Sequence, residues 1–270
     1  MLSIAGSDSG GGAGIQADLK ALAACGVHGM TAITAITAQN TIGVQAVEPV
    51  APAAIVAQVA SVIDDIGVDA VKIGMLGDAD TIAAVERALR LLAPGTPVVV
   101  DPVMVSESGA RLLDDGARAA LVKRILVRAT VATPNVPEAV ALTGAPAADA
   151  HALARAVHAL GPRHVVVTGG HRDEVTDVFY DGAETTEIAG ERHPDGAAHG
   201  SGCTHSSALA AHLALGDDPL TAARAARVLA AAAVRDGLRD VGAGPGPVNA
   251  LGLGAGTVAH AGVGSAGPLA

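Results

Sequence analysis

Short apolar, β-branched runs alternate with Ala-rich amphipathic runs along most of this chain, and nearly every apolar run ends in Gly, Asp, Asn or Pro. Residues 2–5, 31–37, 70–73, 97–100, 130–133 and 164–168 read as strands. Residues 15–25, 52–66, 80–92, 115–127, 137–142 and 149–160 read as the helices between them. Strands that point the same way need a crossover between them, and a helix in every gap supplies it. Residues 176–180 and 185–188, split by Asp181-Gly182, predict a hairpin, and helices over 204–215 and 219–238 close the pattern. The expected fold is α/β, a mostly parallel central sheet with helices on both faces. Residues 1–251 read as one domain and 252–270 as a flexible Gly/Ala-rich tail.

Half of the residues are apolar, yet the aromatics amount to one Phe and one Tyr. The core must then be built from Ala, Val, Leu and Ile, which suits strands buried on both faces. A net charge of −10 argues against nucleic acid or an anionic membrane as partner, while leaving room for a nucleotide. Cys25 and Cys203 stand in no metal-ligand spacing, which points to a reducing cytoplasm. A basic leader is missing ahead of Leu2, and no uninterrupted 18-residue apolar run occurs, so neither a secretory peptide nor a membrane span is expected.

Ligands of such sheets gather at the carboxyl ends of the strands. Polar or Gly-rich clusters recur there: residues 6–14, Gln39-Asn40, Gly74-Met75, Asp101, Asn135 and Gly169-Gly170. One further stretch carries its own chemistry. Gly200, Ser201 and Gly202 form a polar turn running into a helix, whose first N–H groups and positive dipole end make an anion site. Cys203 at its mouth is expected to have a lowered thiol pKa. The segment Gly12-Ala13-Gly14-Ile15-Gln16-Ala17 fits a loose dinucleotide pattern, but no carboxylate follows the second strand, and that reading is rejected. A P-loop with its lysine is absent from the sequence as well.

Residues 3–20, Ser-Ile-Ala-Gly-Ser-Asp-Ser-Gly-Gly-Gly-Ala-Gly-Ile-Gln-Ala-Asp-Leu-Lys, resemble the opening signature of the hydroxymethylpyrimidine/phosphomethylpyrimidine kinases of thiamine biosynthesis, within the ribokinase-like superfamily. The resemblance continues through residues 37–41, 72–76, 101–104, 133–139, 169–171 and 199–204, in the family's order. It implies an ATP- and Mg²⁺-dependent kinase that phosphorylates 4-amino-5-hydroxymethyl-2-methylpyrimidine and its monophosphate. By the same resemblance Asp18 and Gln39 bind the aminopyrimidine, while Met75 and Val103 line the ring pocket. Asn135 and Glu138 match an N-x-x-E motif beside the nucleotide phosphates, with Glu138 and Asp101 as metal candidates. Thr168 and Gly170 fall on the nucleotide loop, and Gly200, Ser201, Gly202 and Cys203 form the catalytic anion hole, Cys203 acting as base. A homodimer is the implied assembly.

One departure stands out. Where the family reads Lys-Gly-Gly-His, this chain has Thr168-Gly169-Gly170-His171, so a hydroxyl replaces a cation. Two alternatives stay open at this point: a pyridoxal kinase, and a non-catalytic domain that senses pyrimidine phosphate.

Overall fold

The structure is a computed structural model, and it describes residues 1–106, 109–114, 116–145, 149–169 and 176–254. Nine strands form one sheet: β1 (Leu2–Asp8), β2 (Met30–Gln39), β3 (Val44–Pro49), β4 (Val71–Ile73), β5 (Val98–Val100), β6 (Val131–Ala132), β7 (His164–Val167), β8 (Thr176–Tyr180) and β9 (Thr185–Ala189). Their order is β3-β2-β1-β4-β5-β6-β7-β8-β9. The centre, from β2 through β1 to β7, is parallel, and β3, β8 and β9 pair antiparallel at the two edges.

The period of two along the strands sorts the core onto two faces. Val98, Val100, Val165 and Val167 point to one face, where they meet Ile55, Val59, Ile82 and Leu153. These come from helices α2 (Pro52–Asp65), α3 (Ala79–Leu89) and α6 (Ala150–His158). Val99, Val131 and Val166 point to the other face. There they meet Leu22 of α1 (Gly14–Ala24), Leu209 of α7 (Ser201–Ala214) and Ala223 and Ala226 of α8 (Pro219–Arg235). The alanines on α7 and α8 keep that layer thin, so a chain almost without aromatics still closes its core.

Three elements differ from the sequence reading. Strand β3 was not expected; it is an exposed edge strand ending in Pro49, without a buried face to mark it. The helix expected over 115–127 is instead a short α4 (Ala117–Ala120), a π turn (Leu121–Ile125) and a 3-10 turn (Leu126–Arg128). The widened turn brings Leu121, Ile125 and Leu126 together into the core. Helix α7 starts at Ser201 rather than 204, so Ser201, Gly202 and Cys203 form its first turn. Residues 255–270, most of the expected tail, lie outside the described residues. Among the described residues no helix is long and apolar enough to cross a membrane.

Chain order reverses around β1, which pairs β2 on one side and β4 on the other. The crevice beyond the carboxyl ends at such a switch point is the natural ligand site.

Candidate active site

A cavity of about 410 Å³ opens there. Its wall draws on every central parallel strand's carboxyl end: Ser7 and Asp8, Gln39, Met75, Asp101, Thr133 and Thr168.

The Gly-rich loop after β1 is organised by Asp8, which is buried at 2% exposure. Its carboxylate accepts from the N–H groups of Gly10 at 2.8 Å, Gly12 at 3.0 Å and Ala13 at 2.8 Å. His199 Nε2 lies 3.2 Å from the same carboxylate. Burial works to raise the Asp8 pKa, but His199 and the N–H groups of Ala13 and Gly10 outweigh it and hold the carboxyl below its usual range. These loop amides therefore cradle a carboxylate of the protein itself rather than a ligand phosphate.

The anion site lies across from this loop. Gly200 caps α7 with φ +87°, and a Cβ there would run into the Gly12 carbonyl, so only glycine fits. Ser201 N–H donates to Ala198 O at 2.9 Å. The N–H groups of Gly202 and Cys203 belong to the first turn and have no partner within the helix. Gly200, Ser201, Gly202 and Cys203 all border the cavity.

The expected lowering of the Cys203 pKa is corrected. Burial, together with the carboxylates of Asp18 and Asp101, pushes the thiol up to about 12, although Lys72 and the Gly14 N–H pull the other way. The helix terminus is too weak to offset desolvation and two neighbouring anions.

Asp18 is corrected as well. It has no solvent exposure and does not line the cavity. Its Oδ1 accepts from Lys72 Nζ at 2.7 Å and Ser207 Oγ at 2.8 Å, and its Oδ2 from Ser3 Oγ at 2.6 Å. Its polar capacity is engaged inside the protein, beneath the site. Gln39, Met75 and Val103 do line the cavity, the Gln39 Oε1 accepting from Thr37 Oγ1 at 3.2 Å.

Asp101, beyond β5, and Glu138 face the same space. Asn135 caps α5 (Val136–Thr143) in a reciprocal box: its Oδ1 accepts from Glu138 N–H at 2.8 Å, and its own N–H donates to Glu138 Oε2 at 3.0 Å. Burial, and then the charge of Asp101, push the Glu138 carboxyl up to about 8, against the N–H groups of Asn135 and Met104. Burial also raises Asp101, whose Oδ2 accepts from Ser206 Oγ at 3.0 Å. Two carboxyls that each resist ionisation in a shared cavity fit a divalent cation, whose charge would relieve both. Among the described residues no group of three or more His, Cys, Asp or Glu forms a metal cage. Mg²⁺ does not need one, since it retains water and leans on phosphate oxygens.

Thr168 lines the cavity and its N–H donates to Pro134 O at 3.0 Å, while Gly170 lies outside the described residues. Lys72 and Asp177 are among the cavity residues that the sequence reading gave no role. Lys72 is a fully buried lysine between Val71 and Ile73, and a charge inside so apolar a strand was the available signal. Asp177, on β8, had none.

The family model described as Phosphomethylpyrimidine kinase matches residues 8–249. The chain belongs to this family. Its sequence is 48% identical over 255 residues to the hydroxymethylpyrimidine/phosphomethylpyrimidine kinase of Rhizobium meliloti, covering 92% of this chain and 95% of that one. It is 44% identical to the thiamine biosynthesis bifunctional protein ThiED of Geobacter sulfurreducens, of which it spans about half, 51%. The solved pyridoxal kinase of Bacillus subtilis, in an ADP complex, is similar with a TM-score of 0.82 and 38% identity, over 92% of this chain and 96% of that one. The fold of this phosphomethylpyrimidine kinase family member is thus the ribokinase-like one.

Proposed function

We propose that the protein transfers the γ-phosphoryl group of ATP to the hydroxymethyl oxygen of 4-amino-5-hydroxymethyl-2-methylpyrimidine, and then phosphorylates the monophosphate. The observation that carries this reading is one cavity shared by the first turn of α7, the Asp101–Glu138 pair, and Gln39 with Met75 and Val103.

Gln39 has both a donor and an acceptor for the edge of an aminopyrimidine, and Met75 and Val103 offer apolar faces to its ring. The N–H groups of Gly202 and Cys203 stand where charge develops on the phosphoryl oxygens. Mg²⁺, when bound at Asp101 and Glu138, would neutralise phosphate charge. Asn135 keeps Glu138 aimed by the capping box, and Thr168 contributes a hydroxyl at the nucleotide side. Cys203 is a resting thiol, so its part is to orient the hydroxymethyl oxygen beside the anion site. Phosphoryl transfer through a loose transition state depends mainly on such positioning, and prior ionisation of the thiol is not required.

The kinase unit is read as residues 1–251, in keeping with the family match over 8–249. Two free cysteines support a cytoplasmic setting. Exposed Ile36, Ile42 and Val47 on the β2–β3 hairpin support a homodimer, which light scattering can test.

The deciding experiment is ATP- and Mg²⁺-dependent turnover, with products resolved by mass, on the pyrimidine, its monophosphate and pyridoxal in parallel. Conversion of the pyrimidine to the diphosphate is expected. The likeness to a pyridoxal kinase gives pyridoxal its place in the assay, and turnover of pyridoxal alone would replace this reading.

A further inference from the structure

The cavity wall on the α8 side holds a buried polar cluster with no part in the chemistry above. Asp177 has no solvent exposure and His205 is 4% exposed. Both line the cavity together with Arg227 and Thr168. The two oxygens of Asp177 face different elements. Oδ1 accepts from the Gly169 N–H at 2.8 Å, at the end of β7. Oδ2 lies 3.5 Å from His205 Nε2 on α7 and 3.9 Å from Arg227 Nε on α8.

Sterics hold these groups together. A Cβ on Gly169 would collide with the Thr176 carbonyl, so the end of β7 is pressed against the start of β8. A Cβ on Gly190 would occupy the space of the Arg227 guanidinium. His205 follows Cys203 by two residues on α7. One carboxylate therefore ties the Thr168-Gly169 backbone to the helix whose first turn is the anion site.

We propose that Asp177 is a nucleotide-positioning residue: by binding Gly169 N–H with one oxygen and facing His205 and Arg227 with the other, it fixes Thr168 relative to the α7 anion site for a nucleoside triphosphate. This rests on the kinase reading, since it assigns the Thr168 side of the cavity to the nucleotide. Among the described residues, the pyrimidine side, at Gln39 and Met75, shares no hydrogen bond with the cluster. A purely structural role would disturb both sides alike, whereas a positioning role disturbs one.

The test is binding of AMP-PCP by calorimetry in the presence of Mg²⁺, alongside the KM values for ATP and for the pyrimidine. Asp177→Ala is expected to weaken AMP-PCP binding and raise the ATP KM by about tenfold, on the scale of one lost hydrogen bond to a charged group. The pyrimidine KM stays within about twofold on the same scale. Asp177→Asn keeps an acceptor oxygen for Gly169 and recovers most of the affinity. If Asp177→Ala does not fold, His205→Ala decides, with a loss about threefold in nucleotide affinity alone. Unchanged AMP-PCP binding in the folded variants, equal loss for both substrates, or no recovery in Asp177→Asn overturns the inference while the kinase reading stands. A wild-type protein that binds no AMP-PCP overturns both.

Discussion

Lys72 Nζ and Asp18 Oδ1 meet 2.7 Å apart where neither side chain has any solvent exposure. The ammonium comes from the middle of the sheet and the carboxylate from α1, and Ser207 of α7 binds the same oxygen at 2.8 Å. Burial alone would lower the Lys72 pKa, but the charge of Asp18, above all, reverses this and holds it above its ordinary value, with Asp101 adding to it. The Lys72 ammonium thus stays charged across the working pH range.

Removing one partner leaves the other buried and uncompensated. Lys72→Met is expected to cost about 3–5 kcal/mol in urea unfolding. The double variant Lys72→Met/Asp18→Asn should cost clearly less than the sum of the single changes. Additive costs would show that the contact is not an energetic pair.

Cys203 should be slow to alkylate. With its thiol pushed up to about 12, the thiolate is a trace species at neutral pH. Iodoacetamide labelling followed by peptide mass spectrometry should show a Cys203 rate still climbing at pH 10. A plateau near pH 7 would contradict this.

Glu138 gives stability a defined pH dependence. Its carboxyl titrates near pH 8 in the folded chain, against 4.5 as the ordinary value. The folded state then holds the proton more tightly than the unfolded state, so this contribution is intact below 4.5 and is lost as pH rises towards 8. Glu138→Gln keeps an oxygen for the Asn135 N–H and cannot ionise. Melting temperatures from pH 5 to 9 should fall less steeply in that variant than in the wild type, while Mg²⁺-dependent turnover drops by about 100-fold or more. Parallel melting curves would refute the assignment.

Gly200→Ala should inactivate through geometry. The residue sits at φ +87°, and the new methyl would meet the Gly12 carbonyl. The first turn of α7 must shift, and loss of aligned donors there costs about 3 kcal/mol in the barrier. kcat should fall by about 100-fold, with a lowered melting temperature from the backbone clash; unaltered kcat in the folded variant would show that the α7 terminus is not the anion site.

The sheet was legible because its central strands are continuous apolar, Val-rich runs, buried on both faces, that end in Gly, Asp or Pro. β3 was not, since an exposed edge strand needs no apolar pattern. Within the site, Gln39, Met75, Val103, Asp101, Asn135, Glu138, Thr168 and residues 200–203 were singled out as ligand or catalytic residues, and all border the cavity. Asp18 was misplaced because a carboxylate on a helix looks the same whether it faces solvent or an unseen lysine. The Cys203 thiol was misjudged for a related reason: helix position is written in the sequence, whereas the anions that gather around it come from other strands and helices. Asp177 and His205 become partners only when β8 docks beside α7.

The contact of Asp8 with His199 joins positions 191 residues apart. Gly12 and Gly200 interlock beside it. Asp8 can order the Gly-rich loop from within its own segment, yet the anion site facing that loop is absent until α7 docks. The anion site therefore exists only once two segments far apart along the chain have met, and a shortened chain that stops before Gly200 would lack it.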